Sequence, residues 1–340
     1  MNHPIDYSQP AASQVDALST LGPTQETEAA QPIVLQARGA LGQRLDRFLA
    51  DQLEAVSRTR LQKWIALGAV KVDGLQVLAR HKLRGLESIE VVPLPSEAER
   101  AFEPDPVELN VVYEDADLMI IDKPVGLVVH PAPGHWRGTL MNGLLYARPD
   151  SARLPRAGIV HRLDKDTSGL MMVARSERAF ERLTVAVAER SVHRRYVAVV
   201  HGETPIRFSI DAPIGRDPRD RLRMAVVDLQ RGKAACTHVV RLASAGGLSL
   251  LCCDLETGRT HQIRVHLSSR GFALVGDTLY GGHPMRGCTR QALHAWRLAL
   301  AHPISGQRLA FESRLPDDLA ALLAQSGLPE PVVPDEVKRG

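Results

Sequence analysis

The chain has 340 residues, 44% of them apolar and 24% charged, with a formal net charge of +3. That length suits one large domain or two smaller ones, and the apolar share is enough for a full core. No apolar run approaches the roughly 18–20 residues that span a bilayer. The N-terminus also lacks a basic segment followed by an apolar one. The expectation is a soluble, cytoplasmic protein.

Charge is unevenly spread. Residues 1–38 carry one basic and four acidic residues, 41–92 carry nine and six, and 151–241 carry 18 and 10, so an acidic tail offsets a basic body. Of the 42 basic residues 35 are Arg, the side chain suited to forked phosphate contact and to stacking on bases. The distribution points to a nucleic-acid partner. Cys236, Cys252, Cys253 and Cys288 include no C-x-x-C pair. They make a poor disulfide or zinc framework and are expected to be reduced packing residues, with no metal site.

In chain order, residues 1–38 are rich in Ala, Gln, Ser, Thr and Pro without periodicity and read as a disordered tail. Residues 41–92 read as a small module. Leu45, Phe48 and Leu49 mark one helix face, and Ser57 caps a second helix carrying Leu61, Trp64 and Ile65. Gly68 ends that helix, Ala69–Val72 is a strand and Asp73-Gly74 a tight turn. Arg58, Arg60 and Lys63 lie on or beside the second helix, placed to meet phosphates. Residues 93–106, with four prolines and four acidic residues, read as a linker. Residues 107–326 form the main domain, and 327–340 a loose tail. Strands are expected at Leu118–Asp122, Gly169–Ala174, Tyr196–Val200 and Leu248–Asp254, and a helix over 177–189. Lys123 and His130 bracket a further strand.

The densest chemistry lies in GIVHRLDKDTSGL, residues 158–170, a polar loop between two apolar runs. It allows three readings. A calcium loop built on Asp164, Asp166, Ser168 and Gly169 fails at Arg175, where a Glu is needed. A triad of His161, Asp164 and Ser168 lacks the nucleophile elbow. The third is a single carboxylate kept ionised by a nearby Arg. In LETGRTHQIRVHL, residues 255–267, the Ile263/Val265/Leu267 alternation predicts a strand that turns Arg264 and His266 to the other face. Tyr196 heads a strand behind two arginines. GDTLYGG (276–282) is a turn-rich loop, and GRDPRDRLRM (215–224) an Arg-rich flap.

Together, KPVGLVVHP, PRAGIVHRLDKDTSGLMMVA, LETGRTHQIRVH, LVGDTLYGG, RQALHA and HPISG resemble the pseudouridine synthases that act on ribosomal RNA. The likeness runs from about residue 41 to about residue 320, and the module at 41–92 resembles an S4 RNA-binding domain. It implies an α+β fold: a mixed, largely antiparallel sheet forming the catalytic domain, preceded by the S4-like module. It implies isomerisation of uridine in large-subunit (23S) rRNA, at the helix 69 stem-loop, by a monomer that needs no cofactor. Asp164 would be the catalytic Asp, Tyr196 the residue packed on the target base, and Arg264 the partner of the carboxylate. Arg162 matches an Arg associated with base flipping. It, His161 and Lys165 would contact substrate in the loop, as would Arg58, Arg60 and Lys63 in the module. One competing function is a synthase for a different rRNA site; the other is a non-catalytic RNA-binding ribosome-assembly factor. Against the latter stands the full set Asp164, Tyr196 and Arg264.

Overall fold

The computed structural model describes residues 31–95, 98–220 and 222–332. They divide into two units between Arg100 and Ala101. Among the described residues, no helix is long and apolar enough to cross a membrane.

The first unit holds β1 (Ile33–Gln36), α1 (Leu45–Gln52), α2 (Arg58–Ala66), β2 (Val70–Val72), β3 (Leu75–Gln76) and β4 (Ser88–Val91). Helix α1 buries Leu45, Phe48 and Leu49. Helix α2 opens on Ser57, whose side chain accepts the Arg60 amide, and buries Leu61, Trp64 and Ile65. Gly68 follows at φ +76, and Asp73 and Gly74 both take positive φ in the turn to β3, as a tight hairpin requires. Asp46 of α1 is fully buried. It accepts hydrogen bonds from Arg44 (3.0 Å), Arg58 (2.8 Å) and Gln62 (2.7 Å). Burial alone would raise its pKa, but these bonds outweigh it and hold the carboxyl well below the usual range.

Two boundaries need correction. Ile33–Gln36, assigned to the tail, is the edge strand β1, paired antiparallel with β4. Its alternating burial turns Ile33 and Leu35 inward, and four residues suffice when a partner strand supplies the ladder. The rest of the tail reading, over 1–30, lies outside the described residues. The second half of the linker is also packed: Ala101 is buried, and the Asn142 side chain donates to the Ala101 and Glu103 carbonyls, each at 2.8 Å.

The second unit contains β5 (Val111–Glu114), β6 (Leu118–Lys123), α3 (Leu140–Ala147), β7 (Ser168–Ala174), α4 (Glu177–Ala188), β8 (His193–His201), β9 (Arg207–Asp211), β10 (Ile214–Arg216) and β11 (Met224–Val226). There follow β12 (Cys236–Ala245), β13 (Leu248–Leu255), α5 (Gln262–Ser269), β14 (Leu293–Ala301), β15 (Arg308–Glu312) and α6 (Asp317–Ser326). The main sheet runs β5-β6-β7-β14-β8-β13-β12-β9, with β15 also paired to β14. Only β7 and β14 run parallel among its pairings. Strands β10 and β11 form a separate hairpin. One face of the sheet packs on α3 and α5 through Leu140, Leu144, Ile263 and Leu267. The other is covered by α4 and α6 through Leu183, Leu319, Leu322 and Leu323. The loose tail expected from 327 fails at Leu328, which is buried in the α6 cluster; residues 333–340 lie outside the described residues. Nor do Lys123 and His130 bracket a strand. Lys123 ends β6, and a turn at Gly126 (φ +82) follows Pro124.

Gly169 fixes the loop ahead of β7. Its φ is +110, and a Cβ there would sit 2.2 Å from the Ala295 carbonyl oxygen of β14. Gly169→Ala is therefore expected to cost at least about 2 kcal/mol through strain and clash. A urea midpoint equal to that of the parent chain would contradict this account.

Candidate active site

The loop between Ile159 and β7 carries Asp164 to the end of β6 and the first turn of α5. Its backbone is tied from beneath by Lys123, which is fully buried. The ammonium donates to the carbonyls of Pro124 (2.8 Å), Leu127 (2.9 Å) and Lys165 (3.0 Å). Burial brings its pKa down to about 8, against the pull of Asp166 and Asp164. Arg290 adds a second tie, donating to the Asp166 carbonyl at 3.0 Å.

The expected strand through Ile263, Val265 and Leu267 is helix α5. Gln262 through Leu267 are all buried, so both sides of the segment are covered, and a three-residue alternation cannot distinguish strand from helix there. His261, at φ +57, sets its start. The helix brings Arg264 between two carboxylates. Its Nη1 donates to Asp164 Oδ2 at 2.9 Å. Its Nε and Nη2 fork onto Asp277 at 2.8 and 2.9 Å. Side-chain exposure is 16% at Asp164, 8% at Arg264 and 1% at Asp277, so only Asp164 opens to a ligand. Burial opposes the Arg264 charge, but Asp277 and Asp164 outweigh it and raise its pKa.

Tyr196 of β8 is buried on the same sheet face. Burial raises its pKa, opposed by Arg194 and reinforced by Asp164, so the phenol is neutral at physiological pH. Of the other expected substrate contacts, Arg162 is exposed and close enough to His130 to add to the burial that lowers that imidazole to about 4. His161 points inward instead: its Nε2 accepts the Met172 amide at 2.9 Å, and burial lowers its pKa to about 3. It is a wall of the loop. Ser168 is bonded to His294 at 2.9 Å, so the triad reading has no assembled partner. Lys165 is exposed, 3.5 Å from His135. In the first unit Arg58 is paired with Asp46. Arg60 bonds the Leu94 carbonyl at 2.9 Å and Glu99 at 3.3 Å and lies over the Trp64 ring, while Lys63 is exposed.

Four further residues escape sequence reading. Asp277 and Tyr280 sit in what reads only as a turn-rich loop. Tyr280 lies under both Arg264 and Arg223, 4.9 and 5.3 Å from its ring centre. Its hydroxyl accepts the Met224 amide at 3.0 Å and meets His261 Nδ1 at 2.7 Å. The other ring nitrogen of His261, Nε2, lies 3.7 Å from Asp164 Oδ1. Burial lowers the His261 pKa despite Asp164. Tyr280 thereby joins the Arg-rich β10–β11 hairpin to the carboxylate. Arg194 is 6% exposed, shares a face with Tyr196, and makes no hydrogen bond or ion pair among the described residues. A Cβ on Gly258 would lie 2.8 Å from its Nη1, so glycine is what lets this guanidinium sit there.

Replacing Tyr280 by Phe keeps the ring and removes both hydroxyl contacts. We expect a loss of about 1 kcal/mol in stability and faster hydrogen exchange at the Met224 amide. Unchanged exchange there would show that the hairpin is held by other means.

The RNA pseudouridylate synthase family profile matches residues 117–269, and the S4 domain profile matches residues 43–85. The ribosomal large subunit pseudouridine synthase D of Nitrosomonas europaea is 49% identical over 290 residues, covering 83% of this chain and 84% of that protein. The protein of the same name from Pseudomonas aeruginosa is 46% identical, covering 83% and 92%. The uncharacterized RNA pseudouridine synthase YlyB of Bacillus subtilis is 45% identical, covering 83% and 93%. The solved structure of human RNA pseudouridylate synthase domain containing 4 aligns with a TM-score of 0.53 over 66% of this chain and 95% of that one, at 23% identity, a likeness of fold. With a buried Arg–carboxylate pair at its centre and an S4 domain ahead of it, the chain belongs to the RNA pseudouridylate synthase family.

Proposed function

We propose that the protein converts specific uridines of large-subunit ribosomal RNA to pseudouridine, with Asp164 as the catalytic carboxylate and the helix 69 stem-loop as its target. The observation that carries this reading is the Asp164–Arg264 pair: a partly open carboxylate whose partner is fully committed on its other side to Asp277. The names of the relatives support the ribosomal substrate.

The reaction breaks the C1′–N1 bond, turns the uracil and rebuilds the link from C1′ to C5. Cleavage leaves C1′ electron-poor, and an ionised carboxylate beside it can stabilise or capture that carbon. Arg264 holds Asp164 in place. Oδ2 is taken by the guanidinium, and Oδ1 faces the reaction. A proton then leaves C5. Tyr196, held neutral by burial, packs on the base and can relay that proton, but it is not a phenolate base. The base must leave its stack to reach Asp164, at a cost of a few kcal/mol that a stem-loop lowers. Arg162, exposed at the rim, is positioned to fill the space it vacates. The buried Arg194 offers unpaired donors to an acceptor oxygen of the flipped nucleotide. No cofactor enters this scheme, and a monomer suffices for it.

The test is tritium release from large-subunit rRNA transcribed with C5-tritiated uridine. We expect release by the parent chain and none by Asp164→Ala, with RNA binding largely kept. Release by the variant would remove Asp164 from the chemistry. Absence of release by both, with rRNA still bound, would favour the assembly-factor reading. Arg194→Met should lower kcat/KM about tenfold to hundredfold, the value of one or two charge-assisted hydrogen bonds. Full activity in that variant would exclude Arg194 from substrate contact.

A further inference from the structure

Away from the Asp164 cleft, the start of β12 and the end of β13 bring three donor groups together. Cys236 and His238 are two residues apart on β12 and so share a face, while Thr237 between them points inward to Gln262 and His266. Glu256, just past β13, lies across from Cys236, its amide directed at the Cys236 carbonyl at 3.3 Å. One ligand atom from each side chain falls within 4.8 Å of the others. Cys236 Sγ is 3.7 Å from His238 Nε2, and that nitrogen is 2.7 Å from Glu256 Oε1.

We propose that Cys236, His238 and Glu256 form a three-ligand site for a borderline-soft divalent cation of the zinc class, with its fourth position open to water. The distances carry the argument. Zinc bonds of about 2.3 Å to sulfur and about 2.0 Å to nitrogen, at a tetrahedral angle, put the two atoms about 3.6 Å apart. The Cys–His pair is already at that separation. The Glu–His contact would open by about half an ångström. The surroundings match what a metal-bound His and carboxylate need. His238 Nδ1 meets Ser209 Oγ at 2.7 Å, so its proton can sit there and leave the Nε2 lone pair free. Arg190 pairs with Oε2 of Glu256, leaving Oε1 for the ion. On binding, the Cys236 thiol gives its proton to solvent and the thiolate takes the metal.

The site would act as a staple. The Cys236 carbonyl also accepts Gln262 Nε2 at 2.9 Å, and Gln262 opens the helix that carries Arg264. A metal ion here would pin the base on which that helix starts. C-x-x-C spacing cannot reveal such a site, because the third ligand comes from the neighbouring strand.

The experiment is titration of the untagged full chain with Co2+ and Cd2+ in a non-chelating reductant. Cys252, Cys253 and Cys288 are buried and cannot compete. We expect one equivalent to produce a thiolate-to-metal charge-transfer band, with Co2+ also giving the visible bands of a tetrahedral ion, and Zn2+ to displace both and raise the melting temperature. Cys236→Ser should abolish the charge-transfer band. His238→Ala should weaken Cd2+ binding at least tenfold while keeping the sulfur band at saturation. Both variants should release tritium from rRNA like the parent, which shows that they are folded and separates this proposal from the catalytic one. No band in the parent chain, or a band that persists in Cys236→Ser, would overturn it.

Discussion

Everything in the cleft depends on one arginine held between two acids. Arg264 is almost wholly removed from water, and such a charge is tolerated only when its donors are matched. Asp277 takes two of them and is itself buried, so that half of the arrangement is permanent framework. A donor on Nη1 fixes Asp164, the only member with an opening. The division explains why two carboxylates flank one cation: one sets the geometry and the other is left to react. The face of the same guanidinium rests on Tyr280, so the cation is clamped from the side as well as from its ends.

Around this centre the buried imidazoles and the Tyr196 phenol are kept uncharged. Burial lowers His161, His130 and His261 and raises Tyr196. Unlike Lys123 and Arg290, which are bonded to loop carbonyls, Arg194 is a buried cation with no partner among the described residues. Its cost in the free protein is what a bound phosphate or carbonyl would offset.

How much of this could be read from the chain follows from where the information lies. Helix faces such as Leu45, Phe48 and Leu49, the Ser57 cap and the strands flanking the HRLD loop are local patterns, and local sequence carries them. The dense loop marked Asp164 because charged residues between two apolar runs have few structural uses. The alternation at Ile263–Leu267 misled, because a helix buried on all sides leaves no polar face to set a period. Asp277 and Tyr280 are marked only as part of a turn-rich loop, and Arg194 only as one of two arginines before a strand. Their meaning comes only from contact with residues far away in the chain. The edge strand at Ile33 was hidden by the polar composition before it, and the linker's second half by a Pro-rich, acidic composition whose backbone carbonyls are tied down by the distant Asn142.

The order of strands also bears on how the protein is made. Strand β14 lies between β7 and β8, yet it comes near the end of the chain. Until it has been synthesised, the half-sheet behind Asp164 and the half-sheet behind Tyr196 have no ladder between them. The carboxylate and its arginine, 100 residues apart, then have no common floor. A growing chain that has emerged only as far as α5 holds every residue proposed here for chemistry but not the piece that seats them together. On the proposed reading of the site, a chain that ends before β14 would lack the assembled cleft.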